Sequence, residues 1–188
     1  MFSYQDIMDL LDNKTLSSEG AKAGLIFGTV SGAYIFLAQM LQNLGQTGAI
    51  ITYILSIAKL VGLIWLMRFY MTRLNEVYDE VDWKQTFCFG LYTAFFSALI
   101  TAACAYMAYA YVYPTLAQQS LEAAIQAYGN NIDSNTQNEM MKMIEHFPLI
   151  SFFTYFIWCY IYGTLLSLFL AKRVSNNNTT EIEEDENE

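Results

Sequence analysis

The chain has 188 residues, of which 55% are hydrophobic and only 14% carry a charge. This composition is too apolar for a typical soluble domain, and the net charge of −9 argues against nucleic-acid binding, which requires a basic surface. The sequence therefore predicts a membrane protein, which has the lipid bilayer as its main partner.

Four apolar stretches account for this composition, and each is long enough to cross a hydrocarbon core of about 30 Å as a helix. They are residues 23–44, 50–69, 87–113 and 149–171. We predict an all-α, polytopic membrane protein in which these four helices form one transmembrane domain, residues 23–171. Residues 1–22 form an N-terminal segment, and residues 172–188 form an acidic tail that we expect to be disordered and self-repelling.

The cations predict the topology, because Lys and Arg in short loops favour the cytoplasmic side of a membrane. Seven of the nine lie on one side of the four predicted helices. These seven are Lys14, Lys22, Arg68, Arg73, Lys84, Lys172 and Arg173. On the other side, the third loop carries only Lys142. We therefore expect both termini to be cytoplasmic.

Small residues recur at four-residue spacing on the first and fourth predicted helices, where they would let another helix approach closely. The first helix carries Gly24, Gly28 and Gly32, and the fourth carries Gly163 and Ser167. Packing within one chain and homodimerisation through the same glycines are both consistent with this pattern.

The loop at residues 114–148, bounded by Pro114 and Pro148, has apolar residues at helical spacing in both of its halves. Gly129 and two asparagines interrupt the pattern between the halves. We predict an external helical hairpin between the third and fourth helices. Its apolar faces either cover the ends of the membrane helices or bind a ligand.

Lys59 is the one charged residue in the interior of the four stretches, about 13 Å along the helix from either end, whereas Arg68 lies at the end of the second stretch. No carboxylate lies in any stretch to pair with it, and a Lys at this depth costs about 2.5–3.5 kcal/mol. Residues at similar depth on the other helices suggest a polar layer of Lys59, Tyr34, Thr101 and Tyr160. This layer is either a functional site, such as an anion path, a proton-coupled step or a headgroup site, or a structural arrangement around a buried lysine.

Several short motifs follow one another in a recognisable order. Ala23 to Gly28 open the first helix, and Arg68, Phe69 and Tyr70 close the second. Gln85, Thr86, Phe87 and Gly90 enter the third, Pro114 closes it, and Gly163, Ser167 and Ala171 lie near the end of the fourth. In their order and spacing they resemble the domain-of-unknown-function 4199 family, four-helix membrane proteins of Gram-negative bacteria. The resemblance implies this architecture and an inner-membrane location; it brings no catalytic residue, and Lys59 and the acidic tail are not part of it.

The sequence carries no catalytic signature, so we do not expect an enzyme. The three cysteines lie in or beside apolar stretches without paired spacing, and the single histidine has no second ligand nearby, so no metal site or cofactor is predicted. We expect a non-enzymatic accessory or partner-binding protein of the inner membrane. The alternative is a small oligomeric transporter or channel that uses Lys59. A homo-oligomer and a membrane-protein partner both remain open.

Overall fold

Helices dominate the structure, as the long apolar stretches require. The structure, a computed structural model, describes residues 4–42, 44–77, 83–116, 118–119, 123 and 134–185. The helices with described bounds are α1 (Tyr4–Gln42), α2 (Gly45–Val77), α3 (Trp83–Met107), a π-helix (Ala108–Val112), α4 (Ser134–Glu145) and α5 (Phe147–Asp185). Within the described residues, four helical segments are long and apolar enough to cross a membrane: Lys14–Leu41, Gly45–Val77, Trp83–Val112 and Phe147–Val174. The predicted all-α membrane fold is confirmed.

Local chemistry explains where the helices start and stop. Gly45 opens α2 with a φ of +63°, a left-handed conformation that a residue with a Cβ atom adopts only with strain, and it allows a tight turn from α1. Pro148 lies in the first turn of α5, where the missing N–H costs little. At the other end of the loop, the amide of Tyr113 donates to the Ala108 carbonyl (2.7 Å) in the π-helical pattern, immediately before Pro114.

Both ends of the chain are more helical than the sequence indicated. α1 begins at Tyr4, well before the predicted first transmembrane helix, and runs into the membrane span without a break. The tail was expected to be disordered from residue 172, but α5 continues to Asp185. The physical reason is that extending an existing helix adds one hydrogen bond per residue and requires no new nucleation, so polar residues next to a stable helix can join it.

The predicted external hairpin is only partly described. Its second half contains α4, which ends immediately before α5 begins. Most of its first half, including most of the apolar positions between residues 117 and 128, lies outside the described residues. The hairpin therefore stays a prediction.

In the bundle, α3 is the central helix, and α1 and α5 pack extensively against it. α2 packs against this layer of three, and its fully buried residues, Gly48, Met67, Met71 and Leu74, lie towards its two ends. At the end where both termini lie, Met67, Met71 and Leu74 of α2 enter a core that includes Phe27 and Phe89. At the opposite end, a second core forms around Ile35, Ala105 and Tyr109. The middle of the bundle, between these two cores, is the part that α2 does not fill.

Candidate functional site

The glycine stripe of α1 is filled by α3 of the same chain. A Cβ atom built on Gly24, Gly28 or Gly32 would lie 2.5–2.7 Å from a side chain of α3, too close for any residue larger than glycine. The facing residues are Phe96, Ile100 and Cys104 respectively, and Gly20 extends the stripe by one turn against Tyr92. Homodimerisation through this face would therefore require α1 to leave α3.

A second close contact joins α5 to α3. A Cβ atom on Gly163 would lie 2.6 Å from the Cβ of Ala94. Ser167 is fully buried, donates to the Gly163 carbonyl (2.7 Å) and occupies the space in front of Gly90. Gly90 was not among the predicted packing residues, although it faces Ser167 directly. These two contacts fix α1 and α5 on opposite sides of α3.

Between α2 and this layer lies a cavity of about 340 Å³, to which all four membrane helices contribute; we call it the Lys59 cavity. Its lining is mostly apolar. The side chains with a polar or thiol group in its wall are Ser31, Lys59, Thr93, Ser97, Cys159 and Tyr162. A cavity of this kind, apolar with a few convergent polar groups, is the usual form of a ligand site.

Lys59 is half-buried at the wall of this cavity, and its Nζ lies 4.2 Å from the centre of the Tyr34 ring. That distance is well inside the range of a cation–π interaction. The Tyr34 hydroxyl is hydrogen-bonded to Ser56 and lies 3.5 Å from the Thr52 carbonyl, so the ring is held from α2. Among the residues that the structure describes, no carboxylate lies within ion-pair distance of Lys59.

The structure brings together only two of the four residues of the predicted polar layer. Lys59 and Tyr34 are together, as the depth estimate suggested. Thr101 is buried but donates to the Ser97 carbonyl (2.8 Å) and is not part of the cavity wall. Tyr160 faces elsewhere: its ring packs on Phe95, and it lines a separate cavity of about 400 Å³.

The sequence missed five of the polar wall residues because counting along a helix gives depth but not direction. One residue turns the helix by about 100°, so Cys159 and Tyr162 face the cavity while Tyr160, between them, does not. The sequence does contain a signal that places Cys159 on the correct face of its helix. Cys159 precedes Gly163 by four residues and so shares its face, and Gly163 had already been assigned to a packing surface.

A second polar group lies on the side of Lys59 away from the termini. The Gln39 amide nitrogen donates to the Tyr109 hydroxyl (3.1 Å), and Tyr155 packs against the core that contains Tyr109. The ring of Phe147 packs edge-on against Tyr109 at 5.2 Å between centroids. Tyr109 is part of the π-helix, the kind of local irregularity that often accompanies functional positions.

The chemistry of the Lys59 cavity is suited to binding. Lys59 supplies three hydrogen-bond donors and a positive charge, and it has no acceptor. The hydroxyl hydrogen of Thr93 is already used, because it is donated to the Phe89 carbonyl (3.0 Å). The described residues contain no group of three or more His, Cys, Asp or Glu side chains placed to hold a metal ion. What the cavity offers a ligand is a cation at one end of an apolar space.

Comparison with known proteins gives one match. The family model described as "Protein of unknown function (DUF4199)" matches residues 22–174, which include the cavity and all of the packing contacts described above except that of Gly20. No curated protein and no solved structure matches the chain. Because the family model covers most of the chain, the protein belongs to the DUF4199 family.

Proposed function

We propose that the protein is a non-enzymatic binding protein of the bacterial inner membrane, in which the Lys59 cavity receives a negatively charged group of a ligand or partner. The observation that carries this proposal is the position of the Lys59 ammonium. It lies at the wall of a cavity, in the middle of a membrane span, with an aromatic ring as its neighbour and no carboxylate from the described residues nearby.

The energies favour a bound anion. A lysine at mid-membrane depth costs about 2.5–3.5 kcal/mol, and a cation–π contact returns about 0.5–2 kcal/mol. Tyr34 therefore leaves part of the cost of Lys59 uncompensated. A hydrogen bond to a charged group is worth about 1.5–3 kcal/mol, so an anionic group in the cavity would supply the missing compensation.

The position of the cavity along the helices supports a site in the cytoplasmic half of the membrane. Along every helix, the cavity extends from the level of Lys59 towards the end of the bundle where both termini lie. That same end carries the seven cations that predict the cytoplasmic side. On this proposal, the binding site lies in the cytoplasmic half of the membrane.

A second candidate function, a small oligomeric transporter or channel, is favoured by the polar groups beyond Lys59. Gln39, Tyr109 and Tyr155 continue towards the opposite end of the bundle, so polar side chains lie on both sides of the lysine. Against it, packed apolar cores close the bundle at both ends. Transport would require one of these cores to open.

Native mass spectrometry of the full chain, extracted from its own membranes in mild detergent, tests the binding function. We expect the wild type to carry an acidic ligand or a stoichiometric partner that is lost in Lys59→Met and kept in Lys59→Arg. Lys142→Met, which removes an exposed lysine outside the membrane spans, is the matched control and should behave like the wild type. The same bound species in Lys59→Met and in the wild type, or none in either, would contradict the proposal.

A further inference from the structure

The Lys59 cavity opens sideways. Three of its wall residues are exposed on the outside of the bundle: Leu60 (58%) and Ile64 (37%) of α2, and Tyr162 (64%) of α5. On the α1 side the wall residues Phe27 and Ser31 are each only 6% exposed. The opening therefore lies between α2 and α5 and faces the hydrocarbon region of the membrane.

The same cavity is closed towards the nearer membrane surface. From Lys59 to Met67 its α2 wall runs eight residues, about 12 Å along the helix axis. There it meets the core at the end of the termini, where Met67 and Met71 are almost completely buried. A ligand from water would have to pass this core, whereas a molecule dissolved in the bilayer would meet the open side directly.

The charge and size of the site limit what can enter. Lys59 is a single cation, so one negative charge gives a neutral pair in a region where net charge is expensive. A volume of about 340 Å³ is at the lower end of ligand cavities, which suits one chain better than a two-chain phospholipid. A carboxylic acid can also become neutral by protonation, so it reaches the membrane centre at lower cost than a phosphate group that stays ionised.

We propose that the ligand is a single-chain carboxylic acid amphiphile that enters from the bilayer between α2 and α5. Its carboxylate pairs with the Lys59 ammonium, and its hydrocarbon chain lies in the apolar part of the cavity and leaves through the opening beside Leu60. This inference rests on the proposed binding function and names the class of ligand for the same site.

Binding of radiolabelled palmitate to the full chain in lipid nanodiscs tests the ligand class. We expect saturable binding of palmitate. Methyl palmitate, which keeps the chain but not the charge, should compete with palmitate at least about tenfold less well, because the charged hydrogen bond is lost. Acetate, a water-soluble carboxylate, should compete no better than the ester. Lysophosphatidate distinguishes a phosphate head, and competition by it equal to that of palmitate would overturn the carboxylate assignment.

Tryptophan substitutions at the opening, with one control, test the route. Leu60→Trp places a large ring at the opening and should slow or weaken palmitate binding at least about tenfold, whereas Val61→Trp is the matched control. Both positions are 58% exposed on the same helix, but Val61 is not part of the cavity wall. Ile64→Trp provides a second block if Leu60→Trp lowers the thermal stability.

The outcomes separate this inference from the function on which it rests. Acetate binding as strong as palmitate binding, lost in Lys59→Met but unchanged in Leu60→Trp and Ile64→Trp, would overturn the amphiphile and its lateral route while keeping an anion site at Lys59. Palmitate binding that is equal in Lys59→Met and in the wild type would overturn the pairing of a carboxylate with Lys59, whereas the proposed binding function would fall only if the natively bound species were also unchanged in Lys59→Met.

Discussion

Replacing Gly24 with alanine tests the close packing of α1 on α3, on which the shape of the bundle depends. The new Cβ atom would lie 2.7 Å from the Cβ of Phe96 and 2.8 Å from the carbonyl oxygen of Thr93. Carbon atoms pack best at about 3.5–4.0 Å, so the helices would have to separate by about 1 Å. The Thr93 carbonyl belongs to the backbone of α3 and cannot rotate away as a side chain could. We expect a loss of about 1–3 kcal/mol in the free energy of unfolding, the usual cost of overpacking.

Gly62→Ala is the matched control for this substitution. Gly62 also lies inside a membrane helix, but a Cβ atom there would have no neighbour within 4 Å. We expect this variant to gain about 0.5–1 kcal/mol, because alanine loses less conformational entropy in a helix than glycine does. Unfolding by SDS added to a mild detergent, followed by circular dichroism and tryptophan fluorescence, measures both variants. If Gly24→Ala were as stable as Gly62→Ala, the described packing of α1 on α3 would be wrong.

The same SDS titration checks three further substitutions. Gly45→Ala should cost about 1–2 kcal/mol, because it forces a Cβ atom into a left-handed conformation at the start of α2; no loss would mean that this turn is wrongly described. Tyr109→Phe should cost about 1–3 kcal/mol, because it leaves the buried Gln39 amide nitrogen unpaired. Its control, Tyr111→Phe, changes an exposed residue and should alter stability by less than about 0.5 kcal/mol. Equal effects of the two substitutions would contradict the buried hydrogen bond between Gln39 and Tyr109. Lys59→Met should raise the ligand-free stability by about 0.5–3 kcal/mol, the cost that Tyr34 does not offset; a clear loss would make Lys59 a structural residue.

The number of membrane helices could be predicted because it depends on a one-dimensional signal. About twenty consecutive apolar residues must be helical in lipid, where the backbone finds no water to bond. The ends of these helices could not be predicted in the same way. Polar residues beyond the membrane, such as those that lead to Asp185, are compatible with either helix or coil, and continuity with an existing helix decides between them.

One residue of the candidate site, Lys59, could be predicted from the sequence, but the set of residues that surround it could not. Lys59 was identifiable because a charge in an apolar stretch is conspicuous in any register. Its neighbours depend on the rotation of four helices about their axes, which the sequence constrains only through its small residues. Gly24, Gly28 and Gly32 indicated one face of α1, yet nothing in the sequence indicated that the fully buried residues of α2 lie towards its ends and that a cavity lies between them.

Two destabilising features coincide in the middle of this bundle, and their coincidence favours binding over structure. A cavity forfeits packing energy, and a lysine at membrane depth that no carboxylate of the described residues pairs with adds its own cost. One substitution of Lys59 by a large apolar residue would remove the charge and fill part of the cavity at once. Well-packed apolar residues are often at least as stabilising as buried charges, so stability alone gives no reason for this arrangement. An anionic ligand gives one, because it fills the cavity and neutralises the charge in the same step.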